Sequence, residues 1–229
     1  MIKINFKKYI ALFCLLVGMV FLTSCGEVPD VEGGELIKKA RDAYSSLDSA
    51  RVTMTNIGTG NVEQEFVFKY DEKGILTYSY KGESAKSSYA QFNNGLESYT
   101  DENGKVTHLV RGDKDFAAYS KDAKHPQADK GLIIYQPASV EEAEVTEEDG
   151  ITHVHHKYDL DKISPELEEG EATAFYADYF FKGDELLYFT EQTNVMIDDE
   201  KYTYSYKIEI TDKNAVERVE NPVDISKAE

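Results

Sequence analysis

The sequence predicts an α+β fold, mostly β: a curved antiparallel sheet, a half-barrel meander, wrapped around an N-terminal amphipathic helix. Three observations predict it. Helical periodicity occurs convincingly once, over residues 35–48. After that the apolar period drops to two. The alternating segments are separated by short Gly, Asn and Asp turn signals, and the helical crossovers that parallel strands require are absent.

The chain opens with Lys3, Lys7 and Lys8 and no acid, then runs uncharged from Ile10 to Leu22. At roughly 1.5 Å per helical residue this apolar run is too short for a ~30 Å hydrocarbon core and suits a signal peptide. Leu22-Thr23-Ser24-Cys25-Gly26 follows and resembles the lipobox of bacterial lipoproteins. That resemblance implies cleavage after residue 24 and acylation of Cys25 on sulfur and then on nitrogen, more than one acyl anchor and so stable attachment. The expected organisation is a signal peptide at 1–24, the lipidated cysteine with a short tether at 25–34, and one domain over 35–229. The only other cysteine, Cys14, lies inside the apolar run, so the mature chain would hold neither free thiol nor disulfide.

Losing the three lysines of residues 1–24 would take the formal charge from −18 to −21. A chain this acidic repels nucleic acid and anionic head groups. The expected membrane contact is therefore the covalent N-terminal lipid, the expected place is outside the cytoplasm on the bacterial cell membrane, and nucleic acid is excluded as a partner.

Leu36, Ala40, Ala43, Tyr44 and Leu47 form one apolar helical face, with Lys38, Lys39, Arg41 and Asp42 elsewhere on the circumference. Strands are predicted at 51–57, 62–70, 75–80, 87–92, 106–110, 132–135, 152–160, 173–182, 186–192 and 202–210. In the second, Phe66, Phe68 and Tyr70 alternate with Val67 and Lys69; in the last, Tyr202, Tyr204, Tyr206, Ile208 and Ile210 alternate with Thr203, Ser205, Lys207 and Glu209. Turn signals fall at 71, 93, 101, 111, 147, 182 and 198. Ser139 with Glu142 fits a helix-capping pair while Val140 and Val145 fit a strand, and both readings stand. Ser164-Pro165-Glu166 suits a short helical turn. The polar intervals 120–131 and 161–172 read as lids or as plain connections.

A sheet with one aromatic face must close or curl about the helix, and an incompletely closed sheet leaves a concave apolar space. Lipobox, tether, amphipathic helix, aromatic strands and the close "YSYKIEITDKNAVERVENPVD" resemble, in that order, the lipoprotein-carrier superfamily of LolA-like and LppX-like half-barrels, including its Gram-positive lipoproteins. The resemblance is one of pattern over most of residues 35–225. It implies a lipid or other lipophilic small molecule as ligand, held in the cavity without covalent chemistry. Phe66, Phe68, Tyr70, Tyr78, Tyr80, Tyr204 and Tyr206 are the ligand-binding candidates, since aromatic rings with hydroxyls can pack a core or line a cavity. "TYSYK" occurs at 77–81 and 203–207, but the flanks differ and it does not make a repeat.

Other chemistry is weaker. His153 and His155 share a strand face and can supply two zinc ligands, with His108, His125 or an acid as unplaced partners; Val154, Tyr158 and Leu160 mark the opposite face as buried. Arg111-Gly112-Asp113 is better read as a turn than as an attachment motif. The acidic run 141–149 lacks calcium-loop spacing. No nucleophile elbow, Walker loop or His-Glu-x-x-His helix is present, so the expectation is a non-enzyme with no cofactor. The alternative to a carrier is an envelope protein-interaction or structural module whose core is filled by its own side chains; metal capture through His153 and His155 ranks below both.

Overall fold

The computed structural model describes residues 30–84, 87–165, 167 and 169–227. The predicted signal segment, lipobox and Cys25 lie outside these residues, as does Glu166. One helix, α1 (Gly34–Ser45), is followed by β1 (Ser49–Asn56), β2 (Val62–Tyr70), β3 (Leu76–Glu83), β4 (Ser88–Asn93), β5 (Glu97–Glu102) and β6 (Lys105–Val110). After a long connection come β7 (Val140–Glu148), β8 (Ile151–Tyr158), β9 (Glu171–Lys182), β10 (Glu185–Ile197) and β11 (Glu200–Thr211). The eleven strands form one curved, unclosed antiparallel sheet in the order β6-β5-β4-β3-β2-β1-β11-β10-β9-β8-β7, the half-barrel α+β class the sequence predicts. Among the described residues no helix is long and apolar enough to cross a membrane.

The order corrects one expectation. The sheet is two meanders, β1–β6 and β7–β11, joined by pairing of the first strand with the last. The turn at Arg111-Gly112-Asp113 therefore ends β6, with Asp113 Oδ2 accepting from Val110 N at 2.8 Å, and leads into the connection instead of a hairpin. Residues 132–135, read as a strand, belong to that connection: Lys130–Leu132 is a 3₁₀ turn and Leu132, Ile133 and Ile134 are buried. β5 was missed because its sequence ESYTDE has no apolar alternation; of its residues only Ser98 is buried. The open choice at residues 139–148 resolves as a 3₁₀ turn, Pro137–Ser139, followed by β7.

The chain divides into two compact units. Among the described residues the first comprises 30–43 together with Lys130–Lys207. In it α1 buries Ile37 and Ala40, so the centre of its apolar face is Ile37, one residue from the predicted Leu36, and Ala43 is exposed. The residues preceding the helix are fixed to β8. A side chain at Gly33 would sit 2.4 Å from Val154 Cγ1, and Gly33 has φ 75°, so both space and backbone demand glycine. The inner face of this unit carries Val154, Tyr158, Phe175, Ala177, Tyr179, Phe181, Phe189 and Val195, all buried.

The second unit comprises Tyr44–Asp129 and the chain from Ile208. Its inner face carries Ala50, Val52, Phe66, Phe68, Tyr70, Leu76, Tyr78 and Tyr80. Val67, on the other face of β2, is also buried, because Val216 and Val219 of the closing tail cover it with half-buried Phe92. Lys69 Nζ, alongside, donates to the carbonyls of Val216 and Glu217 at 2.9 and 2.8 Å. The tail is fastened at Asn214: its backbone N–H donates to Ser49 O at 2.8 Å, and its Oδ1 accepts from Asp48 N at 2.7 Å. With φ 56°, Asn214 is left-handed, a conformation asparagine tolerates better than other non-glycine residues.

Replacing Asn214 with alanine leaves the Asp48 N–H without its acceptor and strains the backbone. The expected loss is about 2 kcal/mol in urea unfolding, of which Asn214→Gly recovers the backbone share of about 1 kcal/mol. Equal stability of all three proteins would contradict the clasp.

Candidate functional site

Five predicted ligand-binding residues come together in the second unit. Phe66 stacks on Phe68 (5.7 Å between centroids) and lies 5.8 Å from Tyr78, while Tyr70 meets Phe68 edge-on at 6.0 Å. Tyr80, buried on the same strand as Tyr78, contacts Tyr89 edge-on at 5.9 Å. The pairing Phe66↔Tyr80 and Phe68↔Tyr78 between β2 and β3 sets these rings side by side. Tyr204 and Tyr206 do not join them. They lie on β11 in the first unit, Tyr204 39% exposed and Tyr206 half-buried.

Sequence reasoning missed the residues that complete this aromatic face. Tyr44 of α1 meets Phe68 edge-on at 6.1 Å. His125 stacks on Phe66 at 5.0 Å and touches Tyr78 and Tyr119 at 4.5 and 4.7 Å. The interval 120–131 is thus neither lid nor mere connection over its central part, since His125 packs into the core and Gln127 and Ala128 are buried. Burial away from water lowers the His125 pKa to about 4, so the ring is neutral and its Nδ1 accepts from Gln127 N. Desolvation pushes the Tyr70 phenol up to about 12, aided by the Asp129 carboxylate. Tyr70 OH and Gln127 Oε1, both buried in this unit, make no hydrogen bond among the described residues.

The inner face of the first unit holds a buried polar set that sequence reasoning also missed. Tyr179 OH donates to Ile134 O, which leaves Tyr158 OH, 3.4 Å away, as donor to the Tyr179 oxygen. Beside them Glu191 is 7% exposed, its Oε1 unpartnered, and desolvation raises its pKa to about 8. A register shift between Leu186 and Tyr188 hides Glu191 from a sequence reading: alternation from Leu186 would point Thr190 and Gln192 inward, whereas the irregularity turns Phe189 and Glu191 in. His156 is also buried. Its Nε2 donates to Glu32 O at 2.9 Å, and burial lowers its pKa.

His153 and His155 project from the opposite face of β8, as the alternation with Val154 and Tyr158 predicts. Both converge on one carboxylate oxygen, Asp178 Oδ1, at 2.7 Å from His153 Nε2 and 2.7 Å from His155 Nδ1. The acid comes from β9, where Asp178 pairs with His155. Neither His108 nor His125 takes part: both belong to the second unit, His108 stacked on Tyr99 at 4.3 Å and His125 in the aromatic core. Among the described residues His153, His155 and Asp178 form the one group of three or more potential metal ligands.

No protein-family model matches this sequence, and no curated protein matches it. Among solved structures the chain is similar to LprF from Mycobacterium bovis, with 13% identity, 86% of this chain and 99% of that one covered, and a TM-score of 0.45. It is also similar to the lipoprotein LppX of Mycobacterium tuberculosis, with 12% identity, 81% and 97% covered, and a TM-score of 0.36.

The buried ionisable groups predict a stability maximum. Glu191 binds its proton more tightly folded than unfolded, so its contribution falls as pH rises from the ordinary 4.5 through about 8. His125 binds its proton less tightly folded, so its contribution falls as pH drops from the ordinary 6.5 toward about 4. Thermal and urea unfolding across pH 4–9 should show Glu191→Gln gaining up to about 4 kcal/mol over wild type at pH 8 and little at pH 4. His125→Phe should flatten the acid limb. Parallel pH profiles for variants and wild type would remove these groups as the cause.

Proposed function

We propose that this chain is a lipid-anchored extracytoplasmic protein that holds a lipid or other lipophilic molecule against the aromatic inner face of its half-barrel, without covalent chemistry. The observation that carries the reading is two unpartnered polar atoms, Tyr70 OH and Gln127 Oε1, set in an apolar core rich in aromatic rings. Leaving such atoms buried and unpaired costs about 1–3 kcal/mol each, which a folding core does better to avoid. A ligand with an apolar chain and a hydroxyl- or amide-bearing head offsets that cost. Its chain desolvates against Phe66, Phe68 and Tyr78 at about 25 cal/mol per Å² before ordering costs. Its head donates to Gln127 Oε1 and bonds with Tyr70. Cys25, in its lipobox context, is the proposed anchor, with the basic and apolar start of the chain as its support.

A second reading, an envelope protein-contact module, is favoured by the exposed rings of Tyr202 and Tyr204 on β11, 42% and 39% accessible. One substitution separates the two. In the chain starting at Gly26, Tyr70→Phe removes a hydroxyl without removing the ring. A carrier should lose roughly 5- to 10-fold in affinity for a fluorescent monoacylglycerol probe, while its ligand-free form becomes no less stable. Failure of the wild-type domain to take up the probe, with Tyr70→Phe only more stable, would move the assignment to the contact module.

A further inference from the structure

We infer that His153, His155 and Asp178 form a zinc site on the outer face of the sheet, with Glu144 as fourth ligand. The convergence is geometric. The three ligand atoms lie within 4.8 Å of one another, and both ring nitrogens already point at the same carboxylate oxygen. Zinc holds imidazole nitrogen and carboxylate oxygen at about 2.0–2.2 Å, which sets tetrahedral neighbours roughly 3.4 Å apart. Opening the two 2.7 Å contacts to that spacing takes about 0.7 Å each, within reach of side-chain motion.

The rings are held for this. His153 stacks on Phe180 at 4.6 Å with 2° between planes, Phe180 stacks on Tyr188 at 4.5 Å, and Lys207 Nζ caps Tyr188 at 4.5 Å from its centroid. His155 stacks on Tyr176 at 5.7 Å. This ladder across four paired strands leaves the imidazole edges little freedom, the preorganisation a metal site needs. Glu144 of β7 pairs with His155 across the ladder, and Glu144, Thr146, His153 and His155 line a depression of about 320 Å³, ample for an ion and a water. Glu148, on the same face of the strand as Glu144 and Thr146, adds negative potential that favours a cation.

In the metal-free arrangement a carboxylate can only accept, so His153 donates through Nε2 and His155 through Nδ1. Zinc takes the lone pairs at those nitrogens, and each proton moves to the ring's other nitrogen. The side chains are 35% and 33% exposed, so water can relay the proton from one ring nitrogen to the other. Two imidazoles and carboxylates suit zinc over calcium or magnesium, which need more oxygen ligands.

The test is calorimetric titration of untagged, EDTA-stripped full-length protein in detergent with zinc chloride. One zinc per chain should bind with a Kd of about 1 μM or tighter, calcium should give no saturable heat, and His155→Gln and Asp178→Asn should each weaken zinc at least ~10-fold. Asp178 also ties two strands together, so His153→Gln carries the same test if Asp178→Asn fails to fold. Absence of saturable zinc binding, zinc binding unchanged in His155→Gln and His153→Gln, or calcium binding as tight as zinc overturns the site.

Discussion

Burying tyrosine and its hydroxyl costs free energy wherever that hydroxyl lacks a partner, and the connection between β6 and β7 supplies partners for Tyr44 and Tyr179 while Tyr70 OH goes without. That stretch is long and mostly irregular, so its own carbonyls also need donors. In the first unit Tyr179 OH donates to Ile134 O, and Arg41 of α1 donates through Nε to Lys130 O at 3.0 Å and through Nη1 to Tyr135 O at 3.5 Å. In the second, Tyr44 OH donates to Gln127 O, Lys124 Nζ donates to Ser45 O, and Asn93 Nδ2 donates to Ala117 O at 2.8 Å. Side chains of the packed elements and the connection satisfy one another, and that reciprocity lets parts of a non-repetitive segment be buried.

The same constraint explains which parts were legible from sequence. Period-two strands such as β2 and β9 were readable because alternate residues, Phe66, Phe68 and Tyr70 or Phe175, Tyr179 and Phe181, meet the core. The helix was readable for the same reason, though Ile37 and not Leu36 centres its buried stripe. Strand β7 has a sequence that fits a helix cap as well as a strand because an edge strand need not look hydrophobic. It ends the sheet, and Glu141, Glu142, Glu144, Glu147 and Glu148 guard it against pairing with another chain. Residues 132–135 point the opposite way: Leu132, Ile133 and Ile134 are apolar enough for a strand, but Ile133 N bonds Lys130 O within a 3₁₀ turn and Ile134 O accepts from the Tyr179 side chain instead of a ladder.

The candidate sites divide along that line. His153 and His155 could be placed on one face from alternation alone, yet Asp178 entered only through the register of β8 with β9. Phe66, Phe68, Tyr70, Tyr78 and Tyr80 could be grouped from β2 and β3, yet His125 and Gln127 arrive from 45 or more residues along the chain, where no periodicity points to them. Glu191 is hidden by an irregularity in strand register. Polar residues inside the aromatic faces are thus the least predictable part of this protein. They are also the part that distinguishes a site from a filled core, because an unpaired phenol or carboxyl is costly unless something answers it.

The most direct measurement is native mass spectrometry of the domain, purified gently from a bacterial host, followed by organic extraction and lipid analysis. The account predicts a stoichiometric lipophilic molecule with a hydrogen-bonding head, retained through purification and released by unfolding. A domain that emerges with no bound molecule and acquires none from added lipid would contradict it.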